Sequence, residues 1–283
     1  MIFLLPSDPL DIKKVDSSFY EEYNALIKMD FKVYLFDHDQ FVSTDQLISN
    51  IDFSDRDDMI LRSWMLNKDQ YNRLFTILNR NGIKLINTTE QYLNCHYYPN
   101  VFKHIEKYAP KSIWLYDISQ SNVEICRNYI DNDIIIKDFV KSEKGSDDIF
   151  ILPKTLTNDE FYERVLKFKT SRGKLFNEGI VFKEYCNLRK YGDKTNEYRI
   201  FVLNGKMIAI SNNTDLGYGQ VPNCEFLNGI IPLIESNYFT IDIAERESGE
   251  WMILECGDGQ VSGLSPNQDE FIYYSNFLEK TIS

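Results

Sequence analysis

In the segment Phe239-Thr-Ile-Asp-Ile-Ala-Glu-Arg-Glu-Ser-Gly-Glu-Trp-Met-Ile-Leu-Glu-Cys-Gly-Asp-Gly-Gln260, two strand-like runs flank a polar Ser-Gly turn, and each carries one interior carboxylate. A tight turn centred on Ser248-Gly249 sets Asp242 directly opposite Glu255, on one face of a hairpin. Like charges facing each other across a ladder destabilise it unless something positive lies between them. A Mg²⁺ ion would answer that need, because it takes oxygen ligands and commonly uses one or two carboxylates plus substrate phosphates. The argument depends on register, since a slip of one residue would send the two acids to opposite faces.

Cations interrupt other apolar runs. Lys137 lies in Ile134-Ile-Ile-Lys-Asp-Phe-Val140 and Lys183 in Ile180-Val-Phe-Lys-Glu-Tyr185. A lysine in such a strand costs free energy unless it is paired or its head reaches water. An anionic ligand such as a phosphate is one explanation, and an edge strand with snorkelling side chains is the other. Glu197 and Arg199 are two apart in a third strand and share a face. The Asn204-Gly205 turn sets Asn212 opposite Glu197 and Ile210 opposite Arg199. A half-buried Arg there wants a bidentate oxyanion, supplied by Glu197 or by a ligand carboxylate or phosphate.

Several chemistries find no support. The chain has three histidines and no Gly-x-Ser-x-Gly, so a Ser-His-Asp hydrolase lacks its parts. Neither the Gly-x4-Gly-Lys-Ser/Thr phosphate loop nor the dinucleotide fingerprint is present. A formal net charge of -12 argues against broad nucleic-acid binding, which needs a basic surface. The cysteines Cys95, Cys126, Cys186, Cys224 and Cys256 are odd in number and form no Cys-x-x-Cys pair, which favours reduced thiols in a cytoplasmic setting. No apolar stretch approaches the roughly 18 residues of a membrane span, and the N-terminal Met-Ile-Phe-Leu-Leu-Pro reads as a buried strand rather than a signal peptide.

The elements that must position these residues follow from periodicity. The first third alternates strands (Ile2–Leu5, Lys32–Phe36, Met59–Leu61, Ile83–Ile86) with helices (near Ser17–Lys28 and Lys68–Asn81), the pattern of an open α/β unit with a largely parallel sheet. A polar segment from Thr88 to Asn100 closes this unit; Tyr92 and His96 there are candidates to line a cleft, but are read first as a core tyrosine and a satisfied surface histidine. A helix near Val101–Tyr108 and strands Ser112–Tyr116 and Asp133–Val140 come next, before the polar loop Ser142–Asp148. Thr157-Asn-Asp-Glu160 is a capping box opening a helix from Asn158 to about Ser171. Strands Gly179–Cys186, Glu197–Leu203 and Lys206–Ser211, the acidic hairpin and a helix near Asn267–Lys280 complete the chain.

Taken in order, Ile134–Ser142, Ile180–Tyr185, Glu197–Lys206, Phe239–Ala244 and Leu254–Gln260 resemble the ATP-grasp superfamily, in particular its R-to-K clade. That clade includes the eukaryotic cell-division-cycle protein that assembles translation initiation factor 2. Upstream, Leu61-Arg-Ser-Trp-Met-Leu66 and Tyr92–His96 resemble the domain preceding the ATP-grasp unit in bacterial and phage members. The resemblance implies a mixed α/β (α+β) fold: an open α/β domain over 1–98, then an ATP-grasp domain over 99–283 with antiparallel sheets in two lobes, about 99–186 and 187–283. It implies ATP and Mg²⁺ as cofactors. Lys137 would contact the phosphates, Lys183 the adenine or α-phosphate, Glu184 with the Tyr185 backbone would form the adenine hinge, and Glu197 would be a further nucleotide-binding residue. Arg199 would stabilise the transferred phosphoryl group or the acceptor carboxylate, and Asp242 and Glu255 would hold the metal. Where many members carry Asn two places after that Glu, this chain has Gly257, with Asp258 as a compensating ligand. The implied reaction is ATP-dependent amide formation through an acyl phosphate, on a carboxylate and an amine from a peptide, protein or amino acid, with loop 142–148 as a lid. An assembly factor that clamps a protein partner without ligation is the alternative, and a nucleotide-independent metal hydrolase a third reading.

Overall fold

The run Ile2–Asp8 forms β1 and turns back through β2 (Asp11–Val15) before α1 (Tyr20–Lys28). β3 (Lys32–Phe36) then pairs parallel with one side of β1, and after α2 (His38–Thr44), β4 (Met59–Leu61) pairs parallel with the other. The computed structural model describes residues 1–140, 150–214 and 219–281. The expected lid, Ser142–Asp148, lies outside them. Alternation along β1 sends Leu4 toward α3 (Lys68–Arg80) and Phe3 and Leu5 toward α1, so both faces of the sheet are buried, as parallel sheets require.

The strand expected at Ile83–Ile86 is reduced to one bridge, Met59 to Leu85. The Ile86 carbonyl is captured instead by the Asn237 side chain, 2.8 Å, which ends the pairing. The segment read as a polar closure contains two helices, α4 (Thr89–His96) and α5 (Tyr98–Ile105). A capping box of Thr88 with Gln91 starts α4, and Pro99 sits in the first turn of α5, where its missing N–H is harmless.

The middle of the chain makes an antiparallel sheet from β5 (Ser112–Leu115), β6 (Ile134–Asp138), β7 (Ile151–Leu152) and β8 (Ile180–Glu184), in the order β5-β8-β6-β7. Its outer face is covered by α6 (Gln120–Tyr129), which the sequence reading passed over, and by α7 (Asn158–Arg172), which opens with the expected Thr157–Glu160 box.

After the small hairpin of β9 (Lys190–Tyr191) and β10 (Lys194–Thr195), a second antiparallel sheet is built from β11 (Glu197–Leu203), β12 (Lys206–Asn212), β13 (Tyr238–Glu245) and β14 (Trp251–Asp258), in the order β12-β11-β13-β14. Helix α8 (Glu270–Thr281) packs back on the N-terminal sheet, where Tyr274 and Phe277 meet Phe3 edge-on.

Asn204 and Gly205 both have positive φ, 49° and 74°, as a two-residue primed turn needs. The expected register holds for Leu203 with Lys206 and Val202 with Met207, and then a bulge at Ile208 shifts it by one. Arg199 therefore faces Ser211, not Ile210, and Asn212 faces Tyr198, not Glu197. The β13–β14 hairpin carries a similar device. Its turn closes on Arg246 and Glu250 with Gly249 at φ 89°, half a residue away from the expected centre. One extra residue, Leu254, restores the offset, so Asp242 does stand opposite Glu255.

Candidate functional site

Lys137 and Lys183 are brought together by β6 and β8. Lys137 pairs with Val181 in the ladder, so Lys183 is its diagonal neighbour on the same face. Lys183 lies between β5 and β6, Lys137 lies past the two β6 residues that β7 pairs with, and both are buried, Lys137 only 5% and Lys183 only 7% exposed. The snorkelling edge-strand explanation is thereby removed. Burial, then the Lys137 charge, brings the Lys183 ammonium down to about 8, against the pull of Glu255.

The other half of the cluster comes from the second sheet. Lys137 Nζ donates to Glu255 Oε2 at 2.6 Å, and Lys183 Nζ donates to the carbonyl of Leu254, the bulged residue. Burial acts to raise the Glu255 carboxyl, but the charge and hydrogen bond of Lys137, with Lys183 and Arg199 behind it, override this and hold it at about 2. Arg199 grips Asp242 with two hydrogen bonds, Nε to Oδ1 at 2.8 Å and Nη2 to Oδ2 at 2.6 Å, and gives Nη1 to the Gly263 carbonyl at 2.9 Å. Its carboxylate partner is thus Asp242, its neighbour across β13, and not Glu197 as the local hairpin suggested. Burial raises the Asp242 carboxyl while Arg199 opposes the shift. The facing acids are each answered by a cation of the chain itself, one from each sheet.

The remaining expected residues divide. Glu184 and Tyr185 line a cavity of about 550 Å³ together with Lys183, Arg189, Met252 and Leu254. The Tyr185 amide is engaged by the Asp133 carbonyl at 2.8 Å, and the Glu184 carboxylate accepts from Asn132 at 2.5 Å. Glu197 accepts from Thr195, another residue of the cavity wall. Asp258 is not brought to the cluster. It is fully buried on the opposite face of β14, where Asn87 Nδ2 at 2.6 Å and the Gln260 amide at 2.9 Å satisfy it. At Gly257 a Cβ would lie 3.0 Å from both the Thr240 and Ser262 hydroxyls, which are bonded to each other at 3.0 Å. A side chain there would have to displace that bridge.

Three contributors were missed. Arg62, 1% exposed, is held by Glu22 at 2.8 and 3.0 Å and donates to the Ser262 carbonyl at 2.8 Å, fixing the loop that Arg199 also grips. It directly follows the apolar run Met59–Leu61, and the argument used for the lysines applies to it equally. Asn87 ties the two ends of the chain through Asp258 and the Tyr238 backbone. Tyr98 lies against both lysines.

Among the described residues no group of three or more His, Cys, Asp or Glu is gathered around a common centre. Among the described residues, the facing carboxylates Asp242 and Glu255 are a donor pair that would suit Mg²⁺ if phosphate oxygens completed it. All five cysteines are unpaired, and no described helix is long and apolar enough to cross a membrane.

Comparison with known proteins follows the same lines. A family model described as an ATP-grasp domain of the R-to-K clade, family 3, matches residues 128–276. Among solved structures, a RimK domain ATP-grasp protein from Sphaerobacter thermophilus superposes with TM-score 0.65 at 8% identity over 100% of both chains. The macrocyclase MdnC from Microcystis aeruginosa, bound with precursor peptide MdnA, gives 0.62 at 13% identity over 99% of this chain and 100% of that one. The ATP-grasp ligase PsnB, complexed with minimal precursor, Mg and ADP, gives 0.59 at 12% identity over 99% and 98%. At these identities the likeness is one of fold. No curated protein matches by sequence.

Proposed function

Since the chain belongs to the R-to-K clade of the ATP-grasp superfamily, we propose that it is an ATP-dependent carboxylate-amine ligase acting on a peptide, protein or amino acid. The observation that carries this reading is the chain of contacts from Lys183 and Lys137 on one sheet to Glu255, Asp242 and Arg199 on the other, beside a cavity of nucleotide size. Phosphoryl transfer needs positioned phosphates and neutralised charge more than a protein nucleophile, and two lysines, an arginine and two acids supply that. We take residues 1–98 as the preceding domain, and about 99–186 and 187–283 as the two lobes that close on the nucleotide.

In this reading adenine lies against the Glu184–Tyr185 hinge. The Tyr185 amide already donates to the Asp133 carbonyl, so the hinge contact of Tyr185 in this reading is made by its carbonyl. Lys183 and Lys137 hold the phosphates, and Glu197 borders the nucleotide side through Thr195. Asp242 and Glu255 would hold Mg²⁺, which supplies charge neutralisation at the transferring phosphoryl oxygens. Arg199 faces the acceptor. The acceptor carboxylate attacks the γ-phosphorus, ADP leaves, and an amine displaces phosphate from the acyl phosphate to form the amide. Gly257 leaves no side chain two positions after Glu255, and Asp258, on the opposite face of β14, takes no part in metal binding in this reading.

The reading is tested by calorimetric titration with MgATP and by screening peptides and amino acids for acceptor-dependent ADP release. MgATP binding with ADP release that rises on adding an acceptor and falls at least tenfold in Lys137→Ala is expected. Tight MgATP binding with no ADP release across such a screen would count against ligation and favour a nucleotide-dependent clamp on a protein partner.

A further inference from the structure

Two ammonium groups sit diagonally on one face of the β6–β8 sheet, and Glu255 is hydrogen-bonded to just one of them. Their repulsion must be offset by something that does not also repel a phosphate. A second carboxylate would fail that condition. The ring of Tyr98, the first residue of α5 and 2% exposed, meets it: Lys183 Nζ lies 5.3 Å and Lys137 Nζ 5.5 Å from the ring centroid. An aromatic face carries negative potential without net charge, so it attracts a cation while leaving the cation's charge in place.

The chain fixes this ring from just past the end of β6 and from β5, the neighbour of β8. The Tyr98 amide donates to the Phe139 carbonyl at 2.8 Å, two residues beyond Lys137. Its hydroxyl meets Ser112 Oγ at 3.0 Å, and Ser112 is the ladder partner of Lys183. The titratable groups facing the ring are Lys137, Lys183, Glu255, Cys186 and Cys256. Burial pushes the Tyr98 hydroxyl up, so the ring stays neutral.

We propose that Tyr98 is the positioning residue for Lys137 and Lys183, its ring face holding both ammonium groups without neutralising them, Lys183 at the wall of the nucleotide cavity and Lys137 beside Glu255. The inference rests on the nucleotide reading for its functional meaning, but not for its test. Tyr98 is replaced by Phe and by mono-, di- and trifluorinated Phe, which keep the ring's shape while draining its face of negative potential. Tyr98→Phe should keep MgATP affinity within about twofold, and the trifluorinated ring should weaken it by about tenfold, with intermediate values between. A packing role alone would leave the series flat. The same proteins without nucleotide are treated with an amine-modifying reagent, and labelling of Lys183 is followed by peptide mass spectrometry. Labelling should quicken along the series as the ammonium loses its partner. A flat labelling series overturns the role of Tyr98, whatever the nucleotide does. Failure of the unaltered protein to bind MgATP overturns the nucleotide reading instead, and labelling still decides the question of Tyr98.

Discussion

Lys183 is a buried cation whose charge is lost close to neutral pH. Its ammonium titrates at about 8 because burial and Lys137 outweigh Glu255. Bound phosphates favour the charged form, so the group takes up a proton on binding when the pH lies above that value. MgATP affinity should therefore fall by about tenfold between pH 7 and 9. Lys183→Arg, which stays charged throughout, should flatten that part of the profile. Titration calorimetry in buffers of different ionisation enthalpy checks both the affinity and the proton uptake. An unaltered slope in the Arg variant would assign the titration elsewhere. The lysines were legible in the sequence because a charge in an apolar strand is conspicuous in one dimension. The partner of Arg199 was not, because Asp242 lies 43 positions away on β13, beyond the reach of a local hairpin argument. Tyr98 was hidden for a related reason. Nothing local marks an aromatic residue as lying beneath two lysines, although Pro99 could have moved the start of its helix from Val101 to Tyr98.

At the level of elements, the opposition of Asp242 and Glu255 was anticipated, but by two displacements that cancel. The turn lies half a residue from the expected centre, and the bulge at Leu254 adds the residue that restores the count. On the neighbouring β11–β12 hairpin the turn was placed correctly and the bulge at Ile208 spoiled the register beyond it. Bulges answer to twist and to partners outside the hairpin, so turn chemistry alone does not reveal them. The Leu254 bulge has such a partner, since its carbonyl receives Lys183. Deleting Leu254 would make the ladder regular and keep Asp242 opposite Glu255, while removing that acceptor. The deletion variant is expected to fold, with native circular dichroism, and to bind MgATP more weakly. Unchanged affinity would mean that the bulge serves the sheet alone. Helix α7 offers a simpler check on the sheet's cover, for Thr157→Ala removes a capping box in which Thr157 Oγ1 accepts from the Glu160 amide. It should lower stability in urea by about 1 kcal/mol and leave nucleotide affinity unaltered.

Across the whole molecule, the ends of the chain are joined at Asp258. This carboxylate comes from β14, and its partners Asn87 and Gln260 link it to Tyr71 on α3 and to the Tyr238 backbone on β13. The family resemblance offered it as a metal ligand compensating for Gly257, yet Asp258 and Glu255 leave opposite faces of the strand. Burial raises the Asp258 carboxyl to about 7 against the hydrogen bonds of Asn87 and Gln260. An unfolded Asp titrates near 3.9, so between these values the folded state binds more protons than the unfolded one. The stability contributed by Asp258 is thus fully present below about pH 4 and is lost as the pH rises through about 7. The loss is on the order of a few kcal/mol for a fully buried group. Asp258→Asn, which keeps the shape but cannot ionise, should remove this fall. Its midpoint of urea unfolding should exceed that of the unaltered protein at pH 8 and approach it at pH 5. Because Asp258 lies apart from the cluster of Lys137, Glu255 and Arg199, MgATP affinity at pH 7 should stay within about twofold. If the substitution instead abolished binding with stability intact, Asp258 would belong to the nucleotide site, and the separation of the two faces of β14 would be the wrong description.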